Sequence, residues 1–356
     1  MNKLGNILNI QYPIIQAGMA GGPTTVQLVS QVSNAGALGT LGAGYLTPDA
    51  MRQAIRAIKE STNLPFAVNL FCTSMQDDWG AVKEVQSVLN PIREQLGIPV
   101  PNKIPTSLDF VEEQFAICIE EQVPIISTAF GLLPTTYMRI AKEAGRKIIS
   151  MVTTVEEGLQ AEEAGVDVIV AQGSDAGGHR STFNVSEQPM GANIGTFSLV
   201  PQMVDAVKVP VVAAGGIMDG RGMVAAFALG ASGIQLGTRF LTTKESGAHP
   251  AYQKALLAST EESTVITKSF SGRPARGIRN RFIEQMDSSQ IGPLPFPSQN
   301  TLTGDIRKRA AETNQTDYMS LWAGQATRLL KAEQTAEEVI RELLDEAEKV
   351  QGILFR

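Results

Sequence analysis

Short apolar runs alternate along this chain with longer segments in which apolar residues recur every three to four positions. The runs fall at residues 13–19, 38–43, 66–71, 124–130, 147–152, 166–172, 210–216 and 233–240. A run such as Val166 to Ala171 is β-branched and unalternated, which predicts a strand buried on both faces. Several intervening helical segments end alike, in Asn34-Ala-Gly36, Glu143-Ala-Gly145, Glu163-Ala-Gly165 and Ala228-Leu-Gly230. Glycine there accepts the left-handed conformation that closes a helix and turns the chain into the next strand. Strand, helix, glycine, strand marks a parallel βα unit. Eight such units predict a closed (β/α)8 barrel over residues 1–245, since a doubly wound open sheet usually has fewer strands.

Two parts stand outside the repeat. Residues 72–106 interrupt the third unit, with Val82, Val85, Leu89, Ile92 and Leu96 at helical spacing and Asn90-Pro91 as a break. This predicts an amphipathic pair of helices beside the barrel mouth. Residues 246–356 form a C-terminal extension packing on the barrel, with a proline-rich connector at Gly292 to Pro297. A final helix opens on the capping box Thr335-Ala-Glu-Glu338 and carries Val339, Ile340, Leu343, Leu344 and Ala347 on one face.

Composition narrows the function. The 356 residues are 43% hydrophobic and 19% charged, as in an ordinary globular protein, and the net charge of -6 argues against a nucleic-acid partner. Two separated cysteines, Cys72 and Cys118, encode neither a disulfide framework nor a structural zinc site and suit a reducing compartment. The first residues lack the charged start and apolar stretch of a leader, and no apolar run approaches the roughly 18 residues of a membrane span. A cytoplasmic protein with small-molecule partners and no membrane contact is expected.

In such a barrel the active site lies at the carboxyl ends of the strands, so the residues just past each run carry the chemistry. They include Gln16-Ala-Gly-Met19, Asn69, Gln172, Gly215-Gly216 and Gln235-Leu-Gly-Thr-Arg239. Past the sixth run comes Gly173-Ser-Asp-Ala-Gly-Gly-His179, which holds one of the chain's two histidines. That segment reads either as an active-site loop, with an imidazole that titrates near neutral pH, or as a tight turn ending in a solvated histidine. The loops after the seventh and eighth runs have bare backbone at Gly215-Gly216 and amides with a hydroxyl at Gly237-Thr238, which suits a phosphate group. Asn69 and Gln172 would then meet a larger polar cofactor spanning the mouth, a description that flavin mononucleotide (FMN) fits. Asp219 is expected to cap the following helix, and His249 to be a surface or capping residue.

Other motifs are set aside. Gly220-Arg-Gly-Met-Val-Ala225 matches a relaxed dinucleotide fingerprint but lies in the seventh unit and lacks the acidic residue at the next strand end. Two distant histidines make a His-based metal site unexpected. The basic cluster Arg273, Arg276, Arg279 and Arg281 reads as a solvated, salt-bridged loop in preference to an anion site.

With these residues in hand, the chain resembles the nitronate monooxygenases, the flavin-dependent family formerly called 2-nitropropane dioxygenases. The likeness spans nearly the whole chain. It rests on Pro13 to Met19, Ala171 to His179, Ala213 to Gly222, Gln235 to Phe240 and Ser271 to Gly277, in the family's order, with Leu321-Trp-Ala-Gly-Gln325 near the end. The resemblance implies FMN held by Asn69, Gln172, Gly177, Gly215, Gln235, Leu236, Gly237 and Thr238, with His179 facing the substrate. It further implies oxidation of an alkyl nitronate such as propionate 3-nitronate by oxygen, giving a carbonyl compound and nitrite. Protonated His179 would attract the anion, whereas neutral His179 would take the α-proton of a nitroalkane. Gly18 stands where many relatives have proline, and Asp175 and Ser181 where they often have Glu and Gly. Asp175 is expected to shape the turn.

The nearest rival is a flavin-dependent enoyl-acyl-carrier-protein reductase, which shares the barrel and a similar Gly-Gly-His loop; Ser271 to Gly277 and Leu321 to Gln325 favour the monooxygenase. An IMP-dehydrogenase-like enzyme would need a nucleophilic cysteine after the sixth strand, where none exists. A non-catalytic barrel binding a phosphate ligand is the reading of another class.

Overall fold

A computed structural model describes residues 3–354; Met1 and Asn2, where the search for a leader begins, lie outside that range. The strands are β1 (Ile14–Gln16), β2 (Gly39–Gly42), β3 (Phe66–Phe71), β4 (Ile125–Ala129), β5 (Lys147–Val152), β6 (Val168–Gln172), β7 (Gly178–His179), β8 (Val211–Ala214), β9 (Gly233–Leu236), β10 (Thr264–Thr267) and β11 (Ala275–Ile278). All but β7, β10 and β11 form one parallel sheet in the order β1-β9-β8-β6-β5-β4-β3-β2. A bridge between Ile15 and Leu38 joins its two edges, through Gln16 N–H to the Leu38 carbonyl and Leu38 N–H to the Ile14 carbonyl, both 2.9 Å. Closure leaves no free edge, and the predicted (β/α)8 barrel forms with each of the eight apolar runs supplying one strand.

Local chemistry explains the punctuation. Gly36, Gly145, Gly165 and Gly230 all sit at positive φ, between 72° and 94°, where a Cβ is disfavoured. Asp219 accepts the N–H groups of Arg221 and Gly222 and caps Gly220–Ala228, and Thr335 and Glu338 form their reciprocal capping box.

Inside the barrel, Ile15, Leu38, Ala67, Ile125, Ile149, Val168, Val170 and Val212 make a buried cluster that also takes Leu4 and Leu8 from the helix Lys3–Leu8. Leu4 packs on Gly233 at the start of β9, so this helix plugs the amino end and leaves the carboxyl end open. A larger cluster lies between the strands and the outer helices. The eighth outer helix comes from the chain's far end. Ala336–Leu354 supplies Val339, Ile340, Leu343 and Ala347 to that cluster, and its backbone at Glu346-Ala347 lies against Gly220.

The insertion differs from the helix pair that the pattern predicts. A single helix, Val82–Gln95, forms with Pro91 inside it. Proline removes one backbone donor and crowds the preceding turn, but Pro91 is exposed and only one turn remains beyond it. The opposite face decides the outcome: Val85, Leu89, Ile92 and Leu96 are buried with Phe270, Phe282, Leu302 and Ile306 in a separate core above the barrel. Arg93, fully buried, is bound to Asp305 at 2.7 Å and to the Leu302 carbonyl. Among the described residues, no helix is long and apolar enough to cross a membrane.

Candidate functional site

The sheet register brings the strand-end side chains level with one another. Asn69 pairs with Ser127 across β3 and β4, Gln172 with Ala214 across β6 and β8, and Ala214 with Gln235 across β8 and β9. Above this row opens a cavity of about 550 Å³ lined by Asn69, Gln172, Gly177, His179, Gly215, Gln235, Leu236, Gly237 and Thr238, whereas Gln16 and Arg239, also at strand ends, turn away from it to Thr40 and to Gln334 and Glu342.

The loop after β6 is no solvated turn. Gly178 and His179 form β7, which pairs antiparallel with β11, and β11 with β10, so a three-stranded sheet grips the histidine from the C-terminal side. The Gln172 amide spans the loop, donating to the His179 carbonyl and accepting from Ser181 N–H, both at 2.9 Å. Arg180, fully buried, donates to the carbonyls of Gln172, Gly173 and Ala192. The Ser181 hydroxyl bridges the Met151 carbonyl and Phe130 N–H, which ties the loop to the ends of β5 and β4. Asp175 accepts from Thr196 N–H at 2.7 Å, a turn-shaping role.

The His179 ring lies between Phe130, at 5.7 Å, and Trp322, at 5.3 Å between centroids, and its Nε2 is 2.8 Å from Ser271 Oγ. Burial, reinforced by the Arg273 and Arg307 guanidinium groups, pulls its pKa down from 6.5 to about 3. The imidazole is therefore neutral at physiological pH. His249 caps the helix Pro250–Ala258 through Nδ1, as expected, and also lines the cavity.

The basic cluster requires a correction. Arg273 is 1% exposed and Arg276 8%, and among the described residues neither forms a salt bridge to a carboxylate, though Glu157 and Asp175 lie near enough to act on them. Arg273 donates to the carbonyls of Arg180 and Thr182 and stacks 4.1 Å above the Phe130 ring; Arg276 donates to the Ser174 carbonyl and to Thr264 Oγ1. Pairing of β11 with the histidine loop draws these side chains inward, where carbonyls replace water. Only Arg279 and Arg281 are solvated. Arg273→Met is expected to lower stability by about 1–3 kcal/mol by leaving buried carbonyls without donors; urea unfolding checks this, and an unchanged midpoint would make the stack ornamental.

The loops after β8 and β9 present bare backbone to the cavity. Among the described residues no protein acceptor takes the N–H groups of Gly215, Gly216 or Gly237. A Cβ on Gly215, at φ 117°, would stand 2.9 Å from Ala176 N, so the bare backbone is needed there. Across the mouth runs the segment around Ala323: Gly324 N–H donates to Thr238 Oγ1 at 3.1 Å and Gln325 N–H to the Asp175 carbonyl at 3.0 Å, while the Tyr252 hydroxyl holds the Trp322 carbonyl.

The cavity is also lined by Tyr45, Phe130 and Arg307, which the sequence does not single out, and by Trp322, which stands out there only within the Leu321 to Gln325 motif. Tyr45 follows the second run and Phe130 closes the fourth, so the strand-end rule would have found them. Phe130 also sits at φ 73°, a strained backbone for its type. Arg307, in the helix Gly304–Glu312, reaches the cavity only through tertiary packing. Its Nε and the Tyr45 hydroxyl are buried without a hydrogen-bond partner among the described residues.

A sequence profile described as nitronate monooxygenase matches residues 2–346. The chain is 46% identical over 332 residues to a probable nitronate monooxygenase of Staphylococcus saprophyticus, covering 92% of this chain and 93% of that one. A solved nitroalkane oxidase from Streptomyces ansochromogenes superposes with a TM-score of 0.92 at 36% identity, over 99% of both chains. FabK from Thermotoga maritima superposes at 0.80 and 30% identity, over 99% of this chain and 98% of its own.

Proposed function

The chain belongs to the nitronate monooxygenase family, and from that premise we propose that it is a cytoplasmic oxidoreductase that uses FMN and oxygen to convert alkyl nitronates, such as propionate 3-nitronate, to a carbonyl compound and nitrite. The observation that carries the reading is one cavity holding a neutral histidine, a cationic wall and unpaired backbone donors. Free thiols at Cys72 and Cys118 support the reducing compartment.

The chain's own groups suit FMN. The free N–H groups of Gly215, Gly216 and Gly237, with Thr238, would hold the phosphate, while Asn69, Gln172, Gln235, Leu236 and Gly177 would line the ring and its polyol chain. Asn69 donates to Ser127 Oγ at 3.0 Å, which sets its amide orientation. When bound, FMN supplies the redox chemistry by taking electrons from the substrate and passing them to oxygen.

The protein's share is binding and proton handling. The Arg307 guanidinium in the cavity wall would attract an anionic nitronate. Neutral His179, with a free nitrogen lone pair and no standing charge, would take the α-proton of a nitroalkane. Phe130 and Trp322 flank the ring.

Oxygen consumption with nitrite release, measured on ethyl and propionate nitronates, tests the reading; activity confined to NADH oxidation with an enoyl thioester would replace it by the reductase. A purified protein that is colourless and yields no flavin on denaturation would leave only the non-catalytic barrel. The pH dependence follows from the lowered pKa. A base with a pKa of about 3 stays deprotonated as pH falls through 6.5, so turnover of a neutral nitroalkane should show no acid limb there. A limb centred near 6.5 that vanishes in His179→Asn would mean a solvated imidazole.

A further inference from the structure

We propose that Ser271 is a positioning residue that holds His179 in the tautomer protonated on Nε2, reserving Nδ1 as the nitrogen that receives the substrate proton. The effect on turnover rests on the function proposed above, whereas the tautomer follows from hydrogen-bond geometry alone.

Ser271 is 1% exposed, so its hydroxyl has only protein partners. Three reach Oγ: the Arg273 N–H at 3.3 Å, the Arg273 carbonyl at 3.1 Å and His179 Nε2 at 2.8 Å. A hydroxyl has one hydrogen to give and two lone pairs to offer. The N–H can only donate and the carbonyl can only accept, so the hydroxyl hydrogen goes to the carbonyl and one lone pair receives the N–H. What remains for the ring is the second lone pair, and Nε2 must carry a hydrogen. The reverse arrangement would strand the Arg273 carbonyl, which no other donor reaches among the described residues. No protein group contacts Nδ1 among those residues, and His179 lines the cavity.

Neutrality is what makes the tautomer matter. The charged groups facing the ring are the Arg273 and Arg307 guanidinium groups; its other neighbours include Phe130, Trp322 and Ser271, and no carboxylate bonds to it among the described residues. Two cations oppose protonation, so the resting ring carries one hydrogen, and its position selects the nitrogen with a free pair. In the step itself the substrate Cα–H bond breaks and its electron pair moves into the nitro group, giving the nitronate anion. The proton goes to Nδ1, giving an imidazolium whose Nε2–H stays on Ser271.

The chain has only His179 and His249, so histidine labelled with 15N gives two ring systems, separated by the variant His249→Asn. Two-bond proton–nitrogen correlation spectra of the flavin-loaded protein at mildly alkaline pH should show His179 protonated on Nε2. Ser271→Ala should give a mixture of tautomers and lower the ratio of nitroalkane to preformed-nitronate turnover by about tenfold, since the nitronate has no α-proton left to remove. Ser271→Thr, which keeps the hydroxyl, should restore both readouts. A wild-type ring protonated on Nδ1, an unchanged tautomer in Ser271→Ala, or an equal fall on both substrates would overturn the proposal. If the wild type oxidises neither substrate, the functional reading fails and the spectra alone decide the tautomer.

Discussion

His179→Asn should retain its flavin and lose about 10²–10⁴ in turnover of neutral nitroalkanes, the usual share of a positioned general base. Asparagine keeps a polar side chain of similar reach, and the backbone bonds that fix β7 do not involve the ring. The cofactor contacts proposed for Gln172 and Gly215 are untouched. What disappears is a neutral nitrogen base held between Phe130 and Trp322. Preformed nitronate should suffer less, because its α-proton is already gone. Steady-state rates on the two substrate forms, with flavin content measured from the absorption spectrum, check this. Full nitroalkane activity in the variant would remove His179 from the mechanism.

Gly177→Ala is expected to yield a protein that purifies without flavin and melts earlier than the wild type. A Cβ there would stand 2.5 Å from both Ala323 C and Gly324 N, so the obstacle is backbone that no rotamer change can clear. Relief requires lifting the segment around Ala323. That motion breaks the bonds from Gly324 N–H to Thr238 and from Gln325 N–H to Asp175, and draws Trp322 away from His179. The roof of the cavity and its proposed phosphate loop fail together. Overpacking of this kind costs about 1–3 kcal/mol in stability, and the disrupted binding loop adds the loss of ligand. A yellow variant with unchanged flavin content would show that the segment yields without disturbing the cavity.

Both predictions concern residues visible in the sequence, but only one of the reasons was. His179 stood out through chemistry and its place after an apolar run. Gly177 stood out only by resemblance, because its need to be glycine comes from a segment almost 150 residues away in the chain, Ala323-Gly324. The basic cluster shows the same limit. Four arginines in a polar stretch read as solvated, yet Arg273 and Arg276 turn inward because β11 pairs with the histidine loop. Pro91 reads as a break, yet the helix runs through it because its other face is buried against the C-terminal core.

The sequence by itself determined the barrel. Apolar runs, left-handed glycine caps and helix N-caps are local signals, and each acts within a few residues of its own position. The carboxyl-end rule then pointed, without coordinates, to the rim where the cavity opens. Only the tertiary structure decided the electrostatic state of that rim. The low pKa of His179 depends on burial and on Arg273 and Arg307, groups brought beside it by long-range packing. So do the burial of the Tyr45 hydroxyl and Arg307 Nε and the Ser271 contact. A dihedral preference belongs to one residue and its neighbours, whereas desolvation and Coulomb terms belong to whatever the fold brings close.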